Sequence, residues 1–230
     1  MEGVTSKMIK AIIFDMDGVL VNSIPFHFGI WKELASKYGF EFREEDIDEI
    51  NGFDTPMTAE YIVEKHSLDI HPAELANEKI GLVNERIKKG MSLFDGVENT
   101  LKVLKGLGYF IGLGTSSGRK AAELCLGPYF QKLEFDAVVT DDDIINAKPA
   151  PDIFLKCSEM LGVKPEECIV VEDSRNGVIA AKKAGMKAIA ITTTSNAEVF
   201  KDVDAVINSI TDMNQDLIKK IEGEKDGQRR

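Results

Sequence analysis

Four consecutive apolar residues, Ala11-Ile12-Ile13-Phe14, run directly into Asp15-Met16-Asp17-Gly18, and this junction limits the possible folds more than any other stretch of the chain. An unbroken apolar run bounded by charge and glycine suits a central parallel strand buried on both faces. Such a strand ends in the crevice at the carboxyl edge of an open α/β sheet, where ligands bind. Asp15 and Asp17 then emerge close together in that crevice. Two carboxylates so placed repel each other unless a cation lies between them or one keeps its proton. An Asp-rich turn leading into a helix is the plain structural alternative.

After Met91 the chain alternates strand-like and helix-like pieces, the pattern of a parallel sheet with crossover helices. Strands are predicted at Ala11–Phe14, Tyr109–Gly114, Ala137–Thr140, Cys168–Val171 and Ala188–Ile191. Helices are predicted at Val97–Leu107 before Gly108, Ile153–Leu161 before Gly162 and Asn176–Ala184 before Gly185, and two further short elements follow at Ala205–Ile207 and Asp212–Ile221. The stretch 23–92 breaks this rhythm with helical patterns alone. Phe26, Ile30, Leu34 and Tyr38 share one helix face, which Gly39 stops. Thr55-Pro56 reads as a helix start with Thr55 as the capping hydroxyl, and a third helix fits Pro72–Lys89. Seventy residues exceed a simple crossover and suggest a small helical bundle over the sheet edge. The expected architecture is α/β, a Rossmann-like parallel sheet core (1–22 and 93–230) with an inserted helical cap (23–92).

The 230 residues, 43% hydrophobic, are enough for one core and a smaller satellite. The formal charge of −11 argues against broad binding to nucleic acid or anionic lipid, so an anionic substrate must be held by local cations and amides. No apolar run reaches membrane-spanning length. Cys125, Cys157 and Cys168 have no metal or redox spacing and read as buried thiols in a reducing cytoplasm. Residues 1–7 read as a loose leader with Met8 as an alternative start, and Glu222–Arg230 as a frayed polar tail.

Three further strand ends bear on Asp15 and Asp17. Tyr109–Gly114 delivers Thr115-Ser116-Ser117-Gly118, a run of hydroxyls and amides able to hold an anion, although such a run also makes ordinary loops. After Ala137–Thr140 comes Lys148-Pro149-Ala150-Pro151, where two prolines stiffen the turn and the lysine is either a fixed charge or a solvated one. Cys168–Val171 delivers Glu172-Asp173-Ser174, a second acidic pair. Two acidic pairs in one crevice call for a cation, and oxygen ligands suit Mg²⁺, which keeps waters and binds one or two carboxylates with a phosphate. The chain shows no His/Cys cluster for zinc, no Walker loop and no Ser-His-Asp order.

In that order, Asp15-Met16-Asp17-Gly18-Val19, Ile111-Gly112-Leu113-Gly114-Thr115, Lys148-Pro149 and Val170-Val171-Glu172-Asp173 resemble the four motifs of the haloacid dehalogenase superfamily, in its capped phosphatase and phosphomutase branch. The resemblance runs from about Met8 to Ile221. Lys148-Pro149-Ala150-Pro151-Asp152-Ile153-Phe154 and Glu172-Asp173-Ser174-Arg175-Asn176-Gly177-Val178 are similar to the subgroup containing β-phosphoglucomutase and small sugar-phosphate phosphatases. The resemblance implies that Asp15 attacks phosphorus and that Asp17 is the general acid and base. It further implies that Asp15, the Asp17 main-chain carbonyl and Asp173 hold Mg²⁺, and that Glu172 holds a metal-bound water. Thr115, the Ser116 amide and Lys148 then bind the phosphoryl oxygens.

Specificity falls to the cap. His27, in Phe26-His27-Phe28, matches a histidine that in β-phosphoglucomutases couples the acid/base aspartate to the acceptor hydroxyl. Those mutases also carry basic residues in the cap turn after a motif like Ile50-Asn51-Gly52, where this chain has Asn51 and Thr55. Arg86, Lys88 and Lys89 could supply compensating charge, and Arg119 a further substrate contact. The expected activity is a Mg²⁺-dependent, cytoplasmic phosphatase of a small phosphorylated metabolite such as a sugar or polyol phosphate, as a monomer or homodimer. The alternatives are a β-phosphoglucomutase and a non-catalytic phosphometabolite-binding protein; a dehalogenase fits Asp17 and Glu172-Asp173 less well.

Overall fold

In the computed structural model the described residues are 8–50, 53–87 and 90–223. Strand β1 (Ala11–Phe14) is buried along its whole length because both its faces are covered. Ile12 and Phe14 enter one apolar cluster, and Ala11 and Ile13 enter a second on the opposite side of the sheet. Each such fully buried Ile or Phe contributes about 1.5–3 kcal/mol. The other strands are β2 (Phe110–Gly114), β3 (Ala137–Val139), β4 (Cys168–Glu172), β5 (Lys187–Ile191) and β6 (Ala205–Ile207), in the order β3-β2-β1-β4-β5-β6. All pairings are parallel, so this is a Rossmann-like α/β sheet whose strand order reverses beside β1.

Register decides which residues meet at the sheet edge. Phe14 lies opposite Leu113 on β2 and Val171 on β4, so Asp15, Gly114 and Glu172 leave the sheet together. The ladder continues one residue beyond β1, where the Asp15 N–H donates to the Val171 carbonyl at 3.0 Å.

Helices α1 (Ile24–Tyr38), α2 (Glu44–Ile50), α3 (Thr55–His66) and α4 (Pro72–Arg86) lie between β1 and β2, ahead of α5 (Val97–Gly106). Helix α1 buries Ile30, Trp31 and Leu34 and stops at Gly39, whose φ of 74° is free of strain only for glycine. Helix α2 is a difference from the sequence reading; its acidic first turn and two isoleucines carry too little apolar periodicity to be recognised. The start of α3 also differs. Asp54 is the cap, accepting from the Met57 N–H at 2.7 Å, while Thr55 takes the first helical position.

Helices α6 (Arg119–Leu126), α7 (Tyr129–Lys132), α8 (Asp152–Leu161), α9 (Arg175–Lys183) and α10 (Gln215–Glu222) complete the layers. The predicted element at Asp212–Ile221 divides into a 3₁₀ turn, Ile210–Asp212, and α10, which Asn214 caps by accepting from the Leu217 N–H. Glu222, read as the start of a loose tail, ends α10 and accepts from the Ile9 N–H at 2.6 Å. The three cysteines are free and buried. No helix among the described residues is long and apolar enough to cross a membrane. The readings on residues 1–7, Asn51, Lys88, Lys89 and 224–230 lie outside the described residues.

Helix α8 packs closely on β2 because Gly112 has no side chain, and a Cβ there would stand 2.6 Å from Cys157 Sγ. Gly112→Ala is expected to cost about 1–3 kcal/mol of stability by overpacking. Urea unfolding of a double-mutant cycle with Cys157→Ala checks this, and the double variant should lose less than the sum of the singles.

Candidate active site

The carboxyl edge of β1, β2 and β4 opens into a cavity of about 180 Å³. Its floor is polar. Asp15, Lys148, Glu172 and Asp173 are each at most 7% exposed, although such residues are rarely buried without partners. Lys148 Nζ donates to Asp15 Oδ1 at 2.5 Å and to Glu172 Oε1 at 2.6 Å, and it stands over the Phe154 ring at 4.9 Å. The other Glu172 oxygen accepts from the Ser174 N–H at 3.0 Å and the Ser174 hydroxyl at 2.8 Å. Both Glu172 oxygens are therefore engaged, which makes Glu172 a holder of Lys148 and of the turn into α9. Gly177, in the first turn of α9, leaves the room in which the Glu172 carboxylate sits.

Burial raises Asp15 to about 8, with Glu172 and Asp17 pushing the same way and Lys148 opposing. Asp173 is raised well above the carboxylate range by burial, then by Glu172 and Asp15. Burial works against the Lys148 charge, but Asp15 and Glu172 outweigh it and hold the ammonium above its ordinary range. Asp15 and Asp173 thus lack a charge partner that would let both ionise beside Glu172, and this oxygen-only donor set fits a hard divalent cation. Among the described residues no three His, Cys, Asp or Glu side chains are grouped to enclose a metal. Asp15 and Asp173 would be the side-chain ligands of such an ion, with main-chain oxygen and water left to fill its other positions.

Asp17 stands at the boundary between sheet edge and helices. Its Oδ2 accepts from the Ser117 hydroxyl at 3.2 Å, and its Oδ1 lies 3.7 Å from His27 Nε2 in the first turn of α1. Burial acts to raise Asp17, but His27, then Ser23 and the Lys79 charge, together outweigh it and hold the carboxyl below its usual value. His27 is held below its ordinary value by burial and then by the Lys79 charge. Across the cavity, the Thr115 hydroxyl accepts from the Ser117 N–H at 3.1 Å and shapes the loop before α6.

A family model described as haloacid dehalogenase-like hydrolase matches residues 12–191. The chain belongs to the haloacid dehalogenase-like hydrolase family. Among relatives of this hydrolase, a fructose-1-phosphate phosphatase of Escherichia coli is 36% identical over 183 residues, 77% of this chain and 94% of that one. A phosphorylated carbohydrates phosphatase of Thermotoga maritima is 34% identical, covering 79% of this chain and 84% of its own. The crystal structure of a β-phosphoglucomutase from Clostridium difficile superposes with a TM-score of 0.81 at 27% identity, covering 94% of this chain and 98% of that one.

Of the side chains singled out in the sequence, the fold brings Asp15, Asp17, His27, Thr115, Ser116, Lys148, Glu172 and Asp173 to one cavity. Arg119 lies outside it. At the start of α6 its guanidinium turns to the Val138 carbonyl at 3.0 Å and to Asp143 at 3.1 Å, because the acidic turn after β3 draws it away from the cavity. Arg86 likewise pairs with Glu33 at 2.5 Å on the surface.

The hydrolase also places residues at the cavity that the sequence reading passed over, Trp31 and Lys79 foremost. Lys79 is 9% exposed, donates to the Thr55 hydroxyl at 3.0 Å and lies 5.9 Å above the Trp31 ring. Burial pushes its ammonium down to about 8, with the Asp17 charge opposing. Its signal was present in the sequence, since Leu75, Lys79 and Val83 lie four residues apart on one face of α4. Trp31 stands four residues after His27 in the same way.

Lys148→Met would leave Asp15 and Glu172 buried without their cation. A loss of about 3–5 kcal/mol is expected at pH 8, measured by chemical denaturation. A folded carboxyl with a raised pKa keeps a proton that the unfolded chain releases, so stability falls as pH rises between 3.8 and about 8. Removing Lys148 moves Asp15 further up, so the Asp15 part of the variant's deficit should grow as the pH is raised above about 8 and level off below it.

Proposed function

We propose that this hydrolase is a Mg²⁺-dependent phosphatase of small phosphorylated metabolites, sugar or polyol phosphates, working through an aspartyl-phosphate on Asp15. The observation that carries this reading is the Asp15 carboxylate, fixed by Lys148 at 2.5 Å in a cavity it shares with Asp17 and the Thr115-Ser116-Ser117 loop. The phosphatases among its relatives support the same class of reaction, a phosphoric monoester hydrolysis.

Asp15 forms a bond to phosphorus as the bond from phosphorus to the leaving oxygen breaks, and Asp17 donates the proton that oxygen needs. Water then attacks the phosphoryl group and gives its proton to Asp17; the acyl phosphate bond breaks and Asp15 returns to a carboxylate. Thr115, the Ser116 amide and Lys148 bind the phosphoryl oxygens where charge accumulates. The Asp15 and Asp173 carboxylates and the Asp17 main-chain carbonyl would hold Mg²⁺. When bound, the ion supplies positive charge that weakens repulsion between the nucleophile and the phosphoryl group.

In this reading residues 23–92 form a cap over the core of 1–22 and 93–230, and its closure screens the cavity from bulk water. The cap supplies His27, Trp31, Thr55 and Lys79 to the leaving group, so it sets specificity. Three free buried thiols support operation in the reducing cytoplasm.

The β-phosphoglucomutase reading gains from one observation, the buried cation Lys79 in the cavity wall, since a mutase must grip a second phosphate. Incubation with β-glucose 1-phosphate separates the two readings. Release of inorganic phosphate from this or other sugar phosphates is expected, whereas accumulation of glucose 6-phosphate with no phosphate release from any would sink the phosphatase reading. In steady-state assays of an aryl phosphate with Mg²⁺, Asp15→Asn is expected to abolish turnover and Asp17→Asn to lower it by roughly 10²–10⁴-fold.

A further inference from the structure

The loop that follows β5, Thr192-Thr193-Thr194, belongs to none of the four motifs, yet two of its hydroxyls point into the metal side of the site. Thr194 Oγ1 donates to Asp173 Oδ2 at 2.6 Å and lies 3.2 Å from the Asp173 carbonyl oxygen. Thr193 Oγ1 donates to the carbonyl of Gly18, the residue after Asp17. Gly18 has a φ of +76°, and a Cβ there would overlap both the Asp173 carboxylate and the Thr194 methyl group. The loops after β1, β4 and β5 therefore interlock around one carboxylate, with no side chain from Gly18 to hold them apart. Thr192 is different, because its hydroxyl turns outward to Asn208 Oδ1 at 2.8 Å.

We propose that Thr194 is a positioning residue that sets the affinity of the site for its divalent cation, with Thr193 fixing the adjoining main chain of the β1 loop. The inference rests on the reading of Asp15 and Asp173 as cation ligands. Asp173 is buried beside two other carboxylates, Glu172 and Asp15, which repel it. The Thr194 hydroxyl holds one of its oxygens against that repulsion, so the carboxylate is already oriented when the ion arrives. Partners of this kind, which bond a ligand and not the metal, change metal affinity by roughly 10–100-fold when removed.

The test is Mg²⁺ binding to the full chain without substrate, by isothermal titration and by competition with Mn²⁺ followed by electron paramagnetic resonance. Thr194→Val keeps the shape and loses the hydroxyl, and its Mg²⁺ dissociation constant should rise by roughly 10–100-fold. Thr194→Ser should bind close to wild type, and Thr192→Val should be unchanged. Thr194→Ala carries the same expectation as the valine variant and replaces it should that one fail to fold by circular dichroism. Wild-type affinity in the hydroxyl-free variants would overturn the proposal, as would equal weakening in Thr194→Ser. Absence of Mg²⁺ binding to the wild-type chain would instead overturn the cation reading itself, and this inference with it.

Discussion

One buried ammonium organises the site. Lys148 bonds Asp15 on one side and Glu172 on the other, and these carboxylates end the two neighbouring strands β1 and β4. Without that cation the centre of the sheet edge would hold uncompensated negative charge in an environment that solvates it poorly. A buried ion pair of this kind is a weak source of stability, since apolar side chains of similar volume would serve the fold as well or better. Its presence at the point where the strand order reverses is better explained by chemistry than by packing.

The architecture was legible wherever burial is two-sided. The run Ala11–Phe14 suits a central strand, and it is buried throughout. The order of acidic pair, hydroxyl loop, lysine and second acidic pair was also readable, because each follows a short apolar strand. What escaped notice depended on tertiary context. Helix α2 has little periodicity of its own, and the cap of α3 sits one residue earlier than its hydroxyl suggested, because the Asp54 carboxylate reaches the Met57 N–H. Arg119 follows the Thr115-Ser116-Ser117 loop closely in sequence, but side-chain direction depends on which acids lie nearby, and Asp143 draws it outward. Lys79 and Thr194 are common surface residue types; the spacing with Leu75 and Val83 marks Lys79 as facing inward, whereas Thr194 gains its place from the packing of the β5 loop alone.

The cavity divides its chemistry between two structural sources. The sheet edge supplies charge and hydrogen-bond donors, whereas the helices between β1 and β2 add an apolar wall that includes Phe28, Trp31, Phe42 and Phe53. Such a wall suits the carbon face of a small leaving group, with Thr55 and Lys79 available to its hydroxyls. Asp17 stands where the two meet, touching Ser117 of the sheet edge and facing His27 of α1. In the proposed reaction, proton transfer and substrate choice would thereby be joined at one residue.

The most direct test is to trap the covalent intermediate. The enzyme is mixed with a small sugar phosphate and Mg²⁺, quenched in acid within milliseconds, and its peptides are mapped by mass spectrometry. A phosphoryl group on Asp15 during turnover, and its absence from the Asp15→Asn variant, is the expected result. Steady release of phosphate with Asp15 unmodified, or a phosphoryl group on another residue, would contradict the role assigned to this carboxylate.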